Sequence, residues 1–178
     1  NLVSGRAYKL GDVLQASDGT TVEINNTDAE GRLILADALA EADGEAPELL
    51  IDMATLTGAA RVALGPDLPP YYTKDDAFAG ELQALAEAHA DPMWRLPLWG
   101  PYDKWLDSQI ADVNHITENG FAGSVTAALF LARFVAKAKT HVHFDIYAWN
   151  PAAKPGRPQG GAAQTILALD RYIARHFG

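Results

Sequence analysis

The sequence predicts an α/β fold, a mixed, partly parallel sheet flanked by helices. Three observations carry this expectation. Segments in which apolar and polar residues alternate take turns with segments of helical periodicity. Apolar residues make up 48% of the 178 residues and charged ones 21%, enough to bury a core without cross-links. No internal repeat, low-complexity tract or domain-sized linker interrupts the chain, so a single domain over 1–178 is expected.

Taken in order, Asp12 to Ala16 and Thr20 to Ile24 alternate around Ser17-Asp18-Gly19, the pattern of a hairpin whose turn needs a positive φ at glycine. Arg32 to Ala42 is rich in Leu and Ala on nearly every side and predicts a helix covered on most of its surface. Leu49 to Ala54 is a short apolar run after Pro47, a buried strand that delivers the loop Thr55-Leu56-Thr57-Gly58. From Asp75 to Ala90 the apolar residues Phe78, Leu82, Leu85 and Ala86 recur at helical spacing, and Asp91-Pro92 ends the pattern. Trp94 to Trp105 carries prolines among aromatics, and Ala111-Asp112-Val113-Asn114 leads to a loop with Gly120 and Gly123. Ser124 to Lys137 predicts a helix, His141 to Ala148 a strand, and Ala162 to His176 a last helix.

Charge and composition exclude several classes. With 14 Lys+Arg against 23 Asp+Glu the net charge is −9, which disfavours a phosphate-backbone footprint and makes metal cations the expected charged guests, with no nucleic-acid partner. The absence of cysteine removes disulfide scaffolds and thiolate zinc sites and suits a reducing compartment, so a cytoplasmic location is expected. No stretch approaches the roughly 20 apolar residues of a membrane span, and none reads as a signal peptide. The first methionine is Met53, so the chain is expected to be part of a longer polypeptide whose remainder contributes to any site.

The densest polar constellation is Asn25-Asn26-Thr27-Asp28-Ala29-Glu30-Gly31-Arg32, between a predicted strand and a predicted buried helix. Thr27 and Glu30 have the spacing of a capping box. Asp28 and Glu30, separated by one small residue, can also converge on one hard cation or a pair of them. Arg32 just beyond them offers a forked, permanently charged donor set for an anion or a developing oxyanion.

Asn26-Thr27-Asp28-Ala29-Glu30-Gly31-Arg32-Leu33 resembles the signature octapeptide of the leucyl (cytosol) aminopeptidases, two-metal exopeptidases. The similarity continues through Leu35-Ala36-Asp37-Ala38-Leu39, Ala54-Thr55-Leu56-Thr57-Gly58-Ala59 and Ala111-Asp112-Val113-Asn114, and so covers nearly the whole chain. The resemblance implies a zinc-exopeptidase-like catalytic domain that releases N-terminal residues, leucine-type, from peptides through a water activated by two metal ions. It implies that Asp28 and Glu30 are metal ligands, Glu30 bridging, and that Arg32 is the catalytic arginine, holding a bicarbonate that serves as general base. Thr55, Leu56 and Gly58 become the wall receiving the substrate. Manganese or zinc as metal, a cytoplasmic location and a homohexameric assembly follow from the same source. The family's remaining ligands, a lysine and two aspartates, and a second catalytic lysine fall upstream of this stretch, so the 178 residues alone are expected to bind metal weakly and not to hydrolyse peptides.

Rival readings have their own residues. His141-Val142-His143-Phe144-Asp145 places three polar side chains on one strand face, a metallohydrolase pattern, against the simpler reading of a strand whose His and Asp bond to neighbours. His89, His115 and His176 are expected in exposed or capping roles. Tyr147, Trp149 and Asn150 are candidates for narrowing a substrate pocket. Gly156-Arg157-Pro158-Gln159-Gly160-Gly161 lacks the residues of a phosphate loop and is expected to be a plain connection. From another class comes a non-catalytic α/β scaffold that builds an oligomer.

Overall fold

A computed structural model describes residues 4, 5 and 7–178; Asn1–Val3 and Arg6 lie outside the described residues. In chain order the first elements are β1 (Val13–Gln15), β2 (Thr21–Glu23), α1 (Glu30–Asp43), β3 (Leu49–Ala54), α2 (Gly58–Leu64), β4 (Pro70–Thr73), α3 (Asp76–Ala88) and β5 (Trp94–Arg95). A 3₁₀ turn (Gly100–Leu106), β6 (Val113–Asn114), α4 (Gly123–Ala132), β7 (Thr140–Asp145), β8 (Trp149–Asn150), β9 (Gly160–Gly161) and α5 (Ile166–Phe177) follow. The mixed α/β class expected from the alternation is what forms. The chain divides into two compact units, residues 1–50 with 98–139 and residues 51–97 with 140–178. Each is assembled from separated stretches, which is why no linker in the sequence marks a boundary.

In the unit containing the N-terminal stretch, β1 and β2 form the expected antiparallel hairpin, Val13 opposite Glu23, with Gly19 at φ 95° in the turn. β6 adds to β2 in parallel, Val22 opposite Val113. The Asp112 carboxylate clips this addition in place by accepting from the Thr21 backbone N–H at 2.9 Å and from its hydroxyl at 2.6 Å.

α1 corrects one expectation. Its buried residues, Arg32, Ala36, Leu39 and Asp43, form a single stripe, while Ile34 is 68% exposed. The helix covered on most sides is α4, where Ser124 and Thr126 to Leu131 are all buried. α1 packs on α4 in this unit. Both helices are apolar by composition, but Glu30, Asp37 and Glu41 on α1 need water, and α4 carries no charge between Gly123 and Ala132. α4 also stops five residues before the expected end, because the Asp43 carboxylate accepts the backbone N–H groups of Ala136, Lys137 and Ala138 at 2.7–3.0 Å and holds them in a turn. Burial pushes the Asp43 carboxyl up, yet these three donors outweigh it and leave it below its ordinary 3.8.

The second unit is built on a sheet of order β3-β7-β4-β5, with β4 antiparallel to β7 and parallel to β5. β4 is buried throughout, Tyr71 and Tyr72 each at 1% exposure, although Pro69-Pro70 in the sequence argues against a strand there. α3 matches its predicted face: Phe78, Leu82, Leu85 and Ala86 are buried, and Asp75 caps it by accepting the Phe78 N–H at 2.9 Å. α5 packs on α3, with the Phe78 and Tyr172 rings edge to face at 4.7 Å. α5 begins at Ile166, four residues later than expected, because the Gln164 side chain accepts from the Tyr147 and Ala148 N–H groups and donates to the Pro66 carbonyl, which holds that stretch as loop. The glycine-rich segment is not wholly the plain connection expected: its last two residues form β9, which pairs with β8. No helix among the described residues is long and apolar enough to cross a membrane.

Candidate active site

The acidic segment leaves β2 at Glu23 and enters α1 at Glu30. A local turn shapes it: the Asn26 side-chain oxygen accepts the Asp28 N–H at 2.9 Å, and the Asn26 carbonyl accepts the Ala29 N–H at 3.3 Å. The helix N-cap is Ala29, without a side-chain cap bond. The capping box expected from Thr27 and Glu30 therefore does not form; Thr27 lies two residues ahead of the cap and its hydroxyl is out of register with the first free N–H groups.

Asp28 and Glu30 are exposed, although the helix they lead into is expected to be covered on most sides. Among the described residues neither carboxylate has a hydrogen-bond or ion-pair partner. Only Arg32 is buried, at 9% exposure, and its Nη1 donates to the His115 carbonyl at 2.8 Å. Two hard oxygen donors facing solvent on either side of one alanine are a fit for a divalent cation. They are too few to enclose one, and among the described residues no group of three or more His, Asp or Glu is placed to hold a metal ion.

His115 is a residue the sequence reading misplaced. It is fully buried, at 0% exposure, not exposed or capping. Its Nε2 lies 2.8 Å from the Asn26 carbonyl and its Nδ1 3.0 Å from the Glu23 carbonyl, and its own N–H bonds the Glu23 carbonyl at 3.2 Å. Burial pushes the imidazole below its ordinary 6.5; the bonds to Asn26 and Glu23 oppose that shift, while the Arg32 charge adds to it. No local pattern marks His115; the only cue is that it follows Val113-Asn114, the pair that joins the sheet. His89 and His176 are exposed, as expected.

Thr55, Leu56 and Gly58 belong to the other unit and are described there. They form the loop between the carboxyl end of β3 and the start of α2, with Thr55 and Gly58 exposed. The buried Asp145 carboxylate fixes this loop: Oδ1 accepts the N–H groups of Leu56 and Thr57 at 3.0 Å each, and Oδ2 accepts the Thr57 hydroxyl at 2.5 Å. Thr57 in turn caps α2 by accepting the Ala60 N–H at 3.1 Å.

The same strand answers the rival reading. His141 Nε2 and His143 Nδ1 donate to the two oxygens of one carboxylate, Asp52 on neighbouring β3, at 2.8 and 2.5 Å. Burial raises the Asp52 carboxyl, but the two imidazole bonds more than reverse this and hold it below 3.8. The strand thus bonds to its neighbours, and its three polar residues do not converge on one point. Of the pocket candidates, Asn150 is buried and donates to the carbonyls of Arg157 and Pro158, Tyr147 lies under the Arg61 guanidinium at 4.9 Å, and Trp149 is exposed.

These observations describe a mixed α/β catalytic-domain architecture with its open carboxylates at a strand-to-helix junction. The family model of the cytosol aminopeptidase family, catalytic domain (peptidase M17), matches residues 1–169, and the chain belongs to this family. A probable cytosol aminopeptidase of Rhodopirellula baltica is 43% identical over 175 residues, 97% of this chain and 34% of the relative. Peptidase B of Enterobacter sp. is 51% identical over 176 residues, 98% of this chain and 40% of the relative. The solved cytosol aminopeptidase of Coxiella burnetii superposes with a TM-score of 0.94 at 48% identity, over 100% of this chain and 39% of that one. A tomato leucine aminopeptidase point mutant gives 0.86 at 38% identity, over 99% of this chain and 34% of that one. The chain therefore spans between about a third and two fifths of these relatives.

Proposed function

We propose that the whole protein is a metal-dependent aminopeptidase that releases N-terminal residues, leucine-type, from peptides. The observation that carries this reading is the pair of exposed carboxylates, Asp28 and Glu30, without partners among the described residues and four and two positions ahead of a buried guanidinium. Asp28 and Glu30 would hold the cations, Glu30 as the bridging ligand, and the remaining donors come from residues outside this stretch. When bound, two divalent ions, manganese or zinc, supply Lewis-acid polarisation of the scissile carbonyl and an activated water. Arg32 places fixed positive charge where oxyanion charge develops, and the same guanidinium suits a bicarbonate base. Thr55, Leu56 and Gly58 present the substrate wall at a strand's carboxyl end, where α/β proteins place their ligands. A cytoplasmic location and a homohexamer complete the reading by family resemblance.

The test compares leucine-anilide hydrolysis, with added Mn²⁺ or Zn²⁺, by the full-length protein and by the 178-residue chain. Turnover by the long form and none by the short one is expected. Robust turnover by the short form would overturn the claim that the site needs outside ligands, and an inactive long form would overturn the aminopeptidase reading. Native mass spectrometry of the long form checks the hexamer.

A further inference from the structure

We propose that His115 is the positioning residue of the active site: its buried imidazole fixes the acidic turn, and its backbone carbonyl holds the catalytic guanidinium. The inference rests on the roles given above to Asp28, Glu30 and Arg32.

The argument begins with the segment that must be held. Asp28 and Glu30 sit on a turn whose own bonds, from Asn26 to Asp28 and Ala29, are local and exposed. Local bonds of this kind set the shape of a turn but not its position on the domain. Besides the Tyr8 hydroxyl on the Thr27 carbonyl, two connections tie this segment to buried groups through one residue. The Asn26 carbonyl meets His115 Nε2 at 2.8 Å, and Arg32 Nη1 donates to the His115 carbonyl at 2.8 Å. His115 is in turn fixed by its backbone bond to Glu23 at the end of β2 and by the β2–β6 pairing just before it. A residue at 0% exposure whose imidazole holds the acidic turn and whose carbonyl holds the guanidinium leaves each with little freedom to shift against the other. Displacements near 1 Å cost about 100-fold in rate when a catalytic group is held away from its reacting atom.

A buried neutral imidazole carries one proton. We assign it to Nε2, the nitrogen with the shorter contact, so that Nε2–H donates to Asn26; Nδ1 then has no proton for the Glu23 carbonyl 3.0 Å away and accepts the Asn25 N–H at 3.4 Å. This sets up a test by reach. A glutamine side chain places its amide nitrogen where Nε2 stands and can still donate to Asn26. An asparagine side chain reaches only as far as Nδ1 and cannot.

In the full-length protein, His115→Asn is expected to lower kcat for a leucine anilide by about 10- to 100-fold, with KM, metal content by elemental analysis and thermal midpoint near wild type. His115→Gln is expected to recover kcat to within a few-fold of wild type. Equal activity of the two variants, whether both high or both low, overturns the proposal, as does a loss confined to KM. Hydrogen–deuterium exchange of residues 24–33 in the same proteins gives a readout without turnover: faster exchange in the Asn variant than in the Gln variant is expected, and identical protection overturns the proposal. Should the wild-type protein hydrolyse nothing, the aminopeptidase reading falls, and the exchange arm still decides whether His115 holds the turn.

Discussion

Two stretches of this chain read alike as metal sites, the Asp28-Ala29-Glu30 segment and the His141-to-Asp145 strand, and the structure separates them by what their carboxylates already bind. Asp145 is 1% exposed and accepts two N–H groups and a hydroxyl; Asp52, opposite the histidines, accepts from both imidazoles. Asp28 and Glu30 are exposed and have no such bonds among the described residues. A carboxylate whose lone pairs are filled by buried donors is a fold element, because removing those bonds leaves the donors unsatisfied. A carboxylate at the surface without such donors is available to a cation. Motif spacing alone does not distinguish the cases; occupancy does.

The comparison breaks most visibly if the open pair is neutralised. In the full-length protein, replacing both groups, Asp28→Asn with Glu30→Gln, is expected to lower kcat/KM by about 1,000-fold or more while changing unfolding free energy by less than about 0.5 kcal/mol. Steady-state kinetics, elemental analysis and urea titration check the three arms. A double variant that keeps its metal and its rate would place the pair in the same class as Asp145.

The reverse pattern is expected on the strand. Asp145→Ala strips the Leu56 and Thr57 N–H groups and the Thr57 hydroxyl of their acceptor and should cost about 2–4 kcal/mol, read by urea unfolding. His143→Leu should leave bound metal unchanged in the full-length protein, since His143 serves Asp52. Loss of metal with the fold intact would restore the strand as a rival site.

How much of this was legible in advance follows the same division. The hairpin, the α3 face and the αβ alternation are periodic and local, so the sequence carries them directly. The acidic octapeptide is likewise contiguous. His115 is assigned an exposed or capping role by sequence, Asp145 a place in a rival ligand set, and Asp52 none at all, because their partners are 83 to 91 positions away: Arg32 for His115, both histidines for Asp52 and the Thr57 loop for Asp145. A residue's partner at that separation is set by strand pairing, not by spacing. The reading of α1 as a core helix failed for a related reason. Composition counts apolar side chains but does not say which neighbour covers them, and Ala38 and Ile34 face solvent while α4 takes the core.

Acid sharpens the comparison next. Asp43 and Asp52 titrate below 3.8 in the folded chain, so each contributes stability that is fully present above that value and is lost as pH falls through its folded pKa. Unfolding free energy is expected to drop on acidification below about pH 4, and Asp43→Asn should make that drop shallower, since asparagine binds no proton in either state. Urea titrations of both proteins at stepped pH read the slopes; parallel curves would mean that the donors at Ala136, Lys137 and Ala138 do not favour the ionised carboxylate.

The smallest effect tests the boundary between the two kinds of site. Asp75 and Thr27 both precede helices, and only Thr27 has the sequence spacing of a capping box, but only Asp75 is a cap, accepting the Phe78 N–H and also a 2.6 Å bond from the Thr140 hydroxyl. Asp75→Ala should therefore cost about 1–2 kcal/mol. Thr27→Ala should cost less than about 0.5 kcal/mol, because α1 is capped at Ala29 and the Thr27 carbonyl, which accepts the Tyr8 hydroxyl at 3.2 Å, survives the substitution. If Thr27→Ala instead costs as much as Asp75→Ala, the segment forms its capping box after all, Glu30 turns back onto the backbone, and its carboxylate is no longer open to a cation.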